Sequence, residues 1–248
     1  MKKILVTLSL ILLSTFAFAH CEDKYSYGVP TSKIEVKHLC RKEYAVLYSE
    51  SCKIPLVVSE RLLGTEIGGK EERASSFKAD QEIDELYRAT LTDYVGRKQM
   101  KIDIGHMAPA GDFTQDKAAM TESFLLSNTV PQYERMNRGI WRQLEMRVRA
   151  LAVKYDEVYV MTGVLVKPYT KTIGSGVCVP THMYKVIVVP RLGQSIGYLI
   201  PNENDLVKSR FKDYVITTIE IEERSSFNLL PTTNSIKLRG EIGESLNQ

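Results

Sequence analysis

Four side chains could do chemistry together. They are His106, in the run KIDIGHMAPAGDF at 101–113, Asp103 just before it, and Asn137 and Glu145 further on. An imidazole that is neutral near pH 7 can take a proton from water. An amide oxygen such as that of Asn137 is a hard donor, suited to Mg2+ rather than zinc, and Mg2+ keeps several waters when few protein groups hold it. A carboxylate such as Glu145 can then steady the hydrated ion through one of those waters. Together these groups fit metal-assisted hydrolysis, with Asp103 or a backbone carbonyl orienting the histidine. Taken alone, a histidine beside a turn is more often structural than catalytic.

The local sequence sets the elements that must hold these groups. Gly105 lets the chain turn beside His106, and Pro109 ends the regular element before it, so Ile102 belongs to a strand leading into the histidine. From 133 to 155 apolar residues recur at Met136, Ile140, Leu144, Val148 and Ala152, the period of a helix lying on a core. Asn137 and Glu145 ride on that helix. Eight residues apart, they are offset by about 80° around an ideal axis and by roughly 12 Å along it. They can face one site, but not as two ligands touching one ion. Trp141, at helical spacing, and Phe113 read as core residues.

These residues carry a resemblance. Asp103, Gly105 and His106, followed by MAPAGDF, are similar to the Asp-Arg-Gly-His signature of the DNA/RNA non-specific endonuclease family, the ββα-metal or His-Me finger enzymes. Ser127, Asn128, Pro131, Gln132, Asn137, Trp141, Leu144 and Glu145 match its later signature in order and spacing. The likeness extends upstream to PLVVSERL and RASSFKAD, and downstream to MTGVLV, VPTHMYKVIVV and GYLIPN. It implies an α/β/α layered fold, with His106 as general base, Asn137 as the direct protein ligand of Mg2+ (Mn2+ being an alternative ion) and Glu145 as its water-mediated support. It also implies that Arg73 meets charge developing on the scissile phosphate, and that Asn128 shapes the site beside the metal. The residues alone leave Asn128 equally readable as a turn residue. One position departs: Ile104 stands where the family has Arg, which implies either a lowered activity or the substitution of Lys98 or Lys101 for that Arg. A catalytically degenerate nucleic-acid-binding protein of the same fold is the alternative, and a purely structural protein a third reading.

The whole chain has 248 residues and a formal charge of +3. Lys2 and Lys3 precede an apolar run at 4–18 that closes in Ala-Phe-Ala, the pattern of a signal peptide cleaved after Ala19. The expectation is an exported protein, periplasmic or secreted, with residues 20–248 as one endonuclease domain and no membrane span in the mature form. Without Lys2 and Lys3 the charge is +1, so attraction to phosphate must be local. Arg73, Lys78, Arg97, Lys98, Lys101, Arg135, Arg138 and Arg142 lie in or near the matched segments and are the candidates, although each singly reads as a solvated cation. No base-reading motif accompanies them, so the partners expected are DNA and RNA, held by their phosphate backbone with weak sequence preference. Nothing in the sequence marks an inhibitor or an oligomer interface.

Cys21, Cys40, Cys52 and Cys178 contain no C-x-x-C pair, which favours disulfides over zinc. Four cysteines allow three pairings, of which Cys21 with Cys40 and Cys52 with Cys178 is the preferred one. Residues 44–48, 54–59, 157–166, 183–189 and 196–200 read as strands, and 213–227 as a strand followed by a helix. Residues 80–87 suit a short helical turn and 123–126 a short extended piece. The fold class expected is α+β: one domain with a central, mainly antiparallel sheet flanked by helices and a ββα-metal motif. His20, His38 and His182 read as structural or surface residues.

Overall fold

The computed structural model describes residues 21–206, 210–243 and 246. The leader read at 1–19, and His20, lie outside the described residues. The strands that build the molecule are β1 (Lys37–Cys40), β2 (Tyr44–Ser49), β3 (Ile54–Leu63), β4 (Ile102–His106), β5 (Thr129–Tyr133), β6 (Glu157–Leu165), β7 (His182–Val189), β8 (Gln194–Pro201) and β9 (Val215–Ile216). Seven of them form one sheet in the order β9-β8-β7-β6-β3-β2-β1, and every neighbouring pair is antiparallel. The middle strands are buried on both faces, which is why their sequences run as near-continuous Val, Ile and Leu instead of alternating with polar residues. Pro55 opens β3 near its start, where a missing N–H costs least.

Strands β4 and β5 stand apart as a two-stranded antiparallel ribbon, with Ile102 opposite Tyr133 and His106 opposite Thr129. A helix follows at once. It begins as α1 (Glu134–Met136), passes through a π-helical turn (Asn137–Trp141) and continues as α2 (Arg142–Tyr155). This helix lays Met136, Ile140, Trp141, Leu144, Val148, Leu151 and Ala152 on the core. Phe113 is buried too, in agreement with its reading. Another helix, α3 (Thr218–Ser225), starts at a capping box between Thr217 and Glu220 and packs near β8, where Gly197 leaves room for Ile221. Lys185 of β7 points to Trp141, and its neighbour Tyr184 points to the opposite side of the sheet. Helices therefore cover both faces, and the molecule is one α/β domain built on a large antiparallel sheet.

Two local readings need correction. Residues 80–87 form turns without a helix, held by Asp80 and Asp84. Of residues 123–126 only Leu125 is extended, in an isolated bridge to Lys78: a helix spans Lys117–Ser123, capped by Asp116 accepting from the Ala119 amide, and a 3-10 turn begins at Leu126. Both disulfides have the expected pairing, Cys21–Cys40 with Cα atoms 5.7 Å apart and Cys52–Cys178 at 5.0 Å. The first ties the segment at Cys21 to the end of β1. The second ties the β2–β3 turn to the segment before β7. His38 bonds the Tyr25 hydroxyl at 2.9 Å and His182 contacts the Thr181 hydroxyl at 3.2 Å, so neither joins the site below.

Candidate active site

His106 ends β4 and is buried. Its ring is walled by Phe77 and Phe124, with centroids 5.0 and 4.8 Å away, and its Nε2 is buried without a hydrogen-bond partner. Burial first, and the Arg73 charge second, hold its pKa down at about 3. The ring is therefore neutral across the physiological range. Gly105 is required by packing, because a Cβ there would lie 2.2 Å from the buried Gln132 side chain. Gln132 in turn sits on the partner strand and donates weakly to the His106 carbonyl at 3.4 Å.

The next residues, Met107 and Ala108, are pinned by Asn128. Its Oδ1 accepts from the Ala108 amide at 3.0 Å, and its Nδ2 donates to the Ala108 and Ser123 carbonyls at 2.8 and 2.9 Å. Fully buried, Asn128 uses both ends of its side-chain amide on backbone groups. These three bonds make it an anchor of the loop that follows His106.

Asp103 also has a different task from the one expected. It does not orient His106. Its carboxylate accepts from the Asn137 Nδ2 at 2.9 Å and from Arg138 in a two-pronged contact at 2.8 and 2.6 Å, with Arg97 3.7 Å away. A carboxylate only accepts, so this contact fixes the Asn137 amide with Oδ1 turned away from Asp103. The oxygen suited to a hard cation is the one left free. Arg97 and Arg138 are thus the cations gathered at this end of β4, while Lys98 and Lys101 stay exposed. Ile104 is half-buried and packs on the main core.

The π turn changes the geometry of the helix. A π turn absorbs one extra residue, so Asn137 and Glu145 are related as if seven α-helical positions apart, which cuts their angular offset from about 80° to roughly 20°. The two side chains share a face, still separated along the axis. Glu145 is half-buried, and among the described residues its carboxylate has no hydrogen-bond partner. Burial raises its pKa to about 7, against the opposing field of Lys185 and, more weakly, of Arg149 and Arg73.

Arg73 is exposed and places its guanidinium 5.0 Å over the Phe124 ring that also touches His106. Its charge acts on both His106 and Glu145. His106, Arg73 and Glu145 therefore share one neighbourhood, and Asn137, tied to β4 through Asp103, lies on the same helix face as Glu145. Sequence reasoning missed the aromatic wall of Phe77 and Phe124. It also missed Arg149, which donates to the buried Asp112 at 2.6 Å beside the helix.

The donor set fits a hydrated, oxygen-preferring divalent cation: one free amide oxygen and one unbonded carboxylate on a common face. A soft-metal cluster fits less well. Among the described residues the one group of three potential His, Cys and carboxylate ligands is Cys21, His38 and Cys40, and its sulfurs are spent on a disulfide.

The model of the family described as DNA/RNA non-specific endonuclease matches residues 22–235. "Nuclease EXOG, mitochondrial" of Danio rerio is 31% identical over 229 residues, covering 86% of this chain and 65% of that relative. "Endonuclease G, mitochondrial" of Homo sapiens is 31% identical over 234 residues, covering 87% of this chain and 75% of the relative. The chain thus spans under two thirds of the EXOG relative and three quarters of the other. A solved structure titled as the EndoG/EndoGI complex and the mechanism of EndoG inhibition superposes with a TM-score of 0.77 at 28% identity, over 87% of this chain and 93% of that one. The expectation of an exported, periplasmic or secreted protein is contradicted by these names, since EXOG, endonuclease G and Nuclease 1 of Schizosaccharomyces pombe are mitochondrial nucleases. A basic start ahead of an apolar run was an insufficient guide, since positively charged N-terminal segments also serve other compartments. With the family model running across the sheet, the ribbon and the helix that carries Asn137 and Glu145, the chain belongs to the DNA/RNA non-specific endonuclease family.

Proposed function

We propose that this chain is a Mg2+-dependent endonuclease that hydrolyses phosphodiester bonds of DNA and RNA with little sequence preference, and that residues 20–248 form its single catalytic domain. The observation that carries this reading is a neutral imidazole with an unpartnered nitrogen, held in the same neighbourhood as Arg73 and an unbonded Glu145. A buried nitrogen without a partner calls for one, and an incoming water supplies it.

In this reading His106 accepts a proton from water at Nε2 as the water attacks phosphorus, the P–O bond to the departing sugar oxygen breaks, and that oxygen takes up a proton from solvent. Arg73 binds the phosphoryl oxygens as negative charge grows on them. Asn137, kept in place by Asp103, would hold the ion through Oδ1, and Glu145 would support it through water. Mg2+, when bound, neutralises charge on the phosphoryl and leaving oxygens. Asn128 keeps the His106 loop fixed. No base edge is read, since every contact proposed is to phosphate.

The test is cleavage of supercoiled plasmid and of a structured RNA by purified protein, with Mg2+ or EDTA, beside His106→Ala, with gels scored for cutting and for retardation. Mg2+-dependent cutting of both substrates, lost in His106→Ala, is expected. Retardation at low salt without cutting would instead indicate a silent binding protein of the same fold, and undiminished cutting by His106→Ala would remove the mechanism.

A further inference from the structure

One buried cation lies outside every role given above. Lys185, in the middle of β7, is 1% exposed, inside the run His182–Val189 that is otherwise mostly apolar. A lysine so deep costs several kcal/mol of desolvation unless its charge is matched and its protons are bonded. Its Nζ donates to the Thr162 hydroxyl of β6 at 2.5 Å and to the Met107 carbonyl at 3.4 Å, and lies 5.0 Å from the Trp141 ring. Thr162 is its direct cross-strand neighbour, so the hydroxyl fixes the ammonium against the sheet. Glu60, also 1% exposed, stands on the same sheet face, two residues beyond the partner of Thr162 on β3. The charges facing Lys185 are those of Glu60, Glu145 and Asp112, opposed by Arg149.

Each contact belongs to a different part of the site. Met107 follows His106 directly. Trp141 closes the π turn that begins at Asn137. Thr162 and Glu60 belong to the sheet, and Glu145 is the carboxylate assigned to the ion. We propose that Lys185 is a positioning residue for the nuclease site: its ammonium ties the His106 loop and the Asn137–Glu145 helix to the central sheet, setting their relative placement. It touches neither substrate nor ion. The inference rests on the function proposed above.

Two substitutions separate positioning from mere stability. Lys185→Met keeps the stem and removes the charge, leaving Glu60 buried and uncompensated. Lys185→Met with Glu60→Gln also replaces the buried carboxyl on the neighbouring strand by a neutral amide, which lessens the imbalance. With DNA and saturating Mg2+, each is expected to lower kcat about 10- to 100-fold with KM changed by less than about threefold, as loss of a supporting contact does. The melting temperature should fall in the single variant and recover in the double one, while kcat stays low in both. Trp141, the chain's only tryptophan, supplies a readout without metal: its emission should change when the ammonium is removed. A third variant, Thr162→Val, keeps the charge and the packing volume but frees the ammonium from the sheet, and is expected to lower kcat at least threefold even if the other two fail to fold.

Wild type and His106→Ala run alongside. If wild type does not cut DNA, the proposed function fails. If it cuts and kcat recovers together with the melting temperature in the double variant, or Thr162→Val matches wild type, then Lys185 is only structural and the inference is overturned.

Discussion

The environment of His106 inverts what its type suggests. Unperturbed imidazole is half-charged near pH 6.5, yet burial and Arg73 keep this ring neutral down to about pH 3. Between those values the unfolded chain binds a proton at this position and the folded chain does not, so the folded state loses stability as pH falls from about 6.5 to about 3. Replacing the ring by His106→Asn should flatten that part of the stability curve, measured as melting temperature against pH. Catalysis should drop about 10²–10⁴-fold in the same variant, the usual worth of a positioned general base. Glu145 carries the opposite shift. With its carboxyl raised to about 7, it is protonated in the metal-free protein below that pH, so Mg2+ affinity should rise with pH through about 7 and binding should release a proton. Calorimetry in two buffers of different ionisation enthalpy would detect the proton, and pH-independent affinity would contradict the assignment. Asp103→Asn tests the remaining support: with two amides facing one another, Asn137 loses its fixed orientation, and Mg2+ affinity should fall about 10- to 100-fold.

The ribbon and its helix show where sequence patterns stop being informative. The run around His106 and the amphipathic stretch from 133 to 155 announce themselves through glycine, proline and apolar spacing, and the strands of the large sheet through their Val and Ile content. The π turn at Asn137–Trp141 has no such signal, because the apolar side chains on either side of it still read as one helical stripe. It follows that the angle between Asn137 and Glu145 could be derived only for an ideal helix and came out too wide. Deleting Gly139, whose Cβ position faces open space, should convert the π turn to α and leave Asn137 and Glu145 seven α-helical positions apart, so that their offset of roughly 20° is kept, whereas inserting one alanine after Arg142 should turn Asn137 by about 100° relative to Glu145. The expected outcome is cleavage largely kept in the deletion and reduced by two orders of magnitude or more in the insertion; full activity of the insertion would mean that the alignment of the two side chains is not needed. Partners that meet only in three dimensions were equally invisible. Asp103 serves Asn137 rather than His106, and Asn128 serves the backbone. The lysine interrupting MYKVIVV was the one visible sign of the buried charge cluster.

Across the whole molecule, a large sheet supplies rigidity and the site is assembled on one of its faces. The Cys52–Cys178 bridge closes 126 residues around that sheet, and removing it should cost about 3–5 kcal/mol of stability, read from denaturant unfolding with and without a thiol reductant. Formal charge is only +3, so attraction to nucleic acid rests on the local cations, and KM for DNA should rise several-fold between about 50 and 200 mM salt while kcat changes little. Family membership and the antiparallel sheet were readable because they rest on ordered motifs and on patterned burial. The cellular setting was not, because it was inferred from an N-terminal charge and apolarity pattern alone. The central claim is that an ion on the Asn137 amide and the His106 ring address one phosphate. A crystal structure of His106→Ala with Mg2+ and a short DNA duplex tests it most directly. The account predicts an ion whose protein ligand is Asn137 Oδ1, with water linking it to Glu145 and a phosphate lying between it and residue 106. An ion held by other side chains, or a phosphate remote from residue 106, would contradict it.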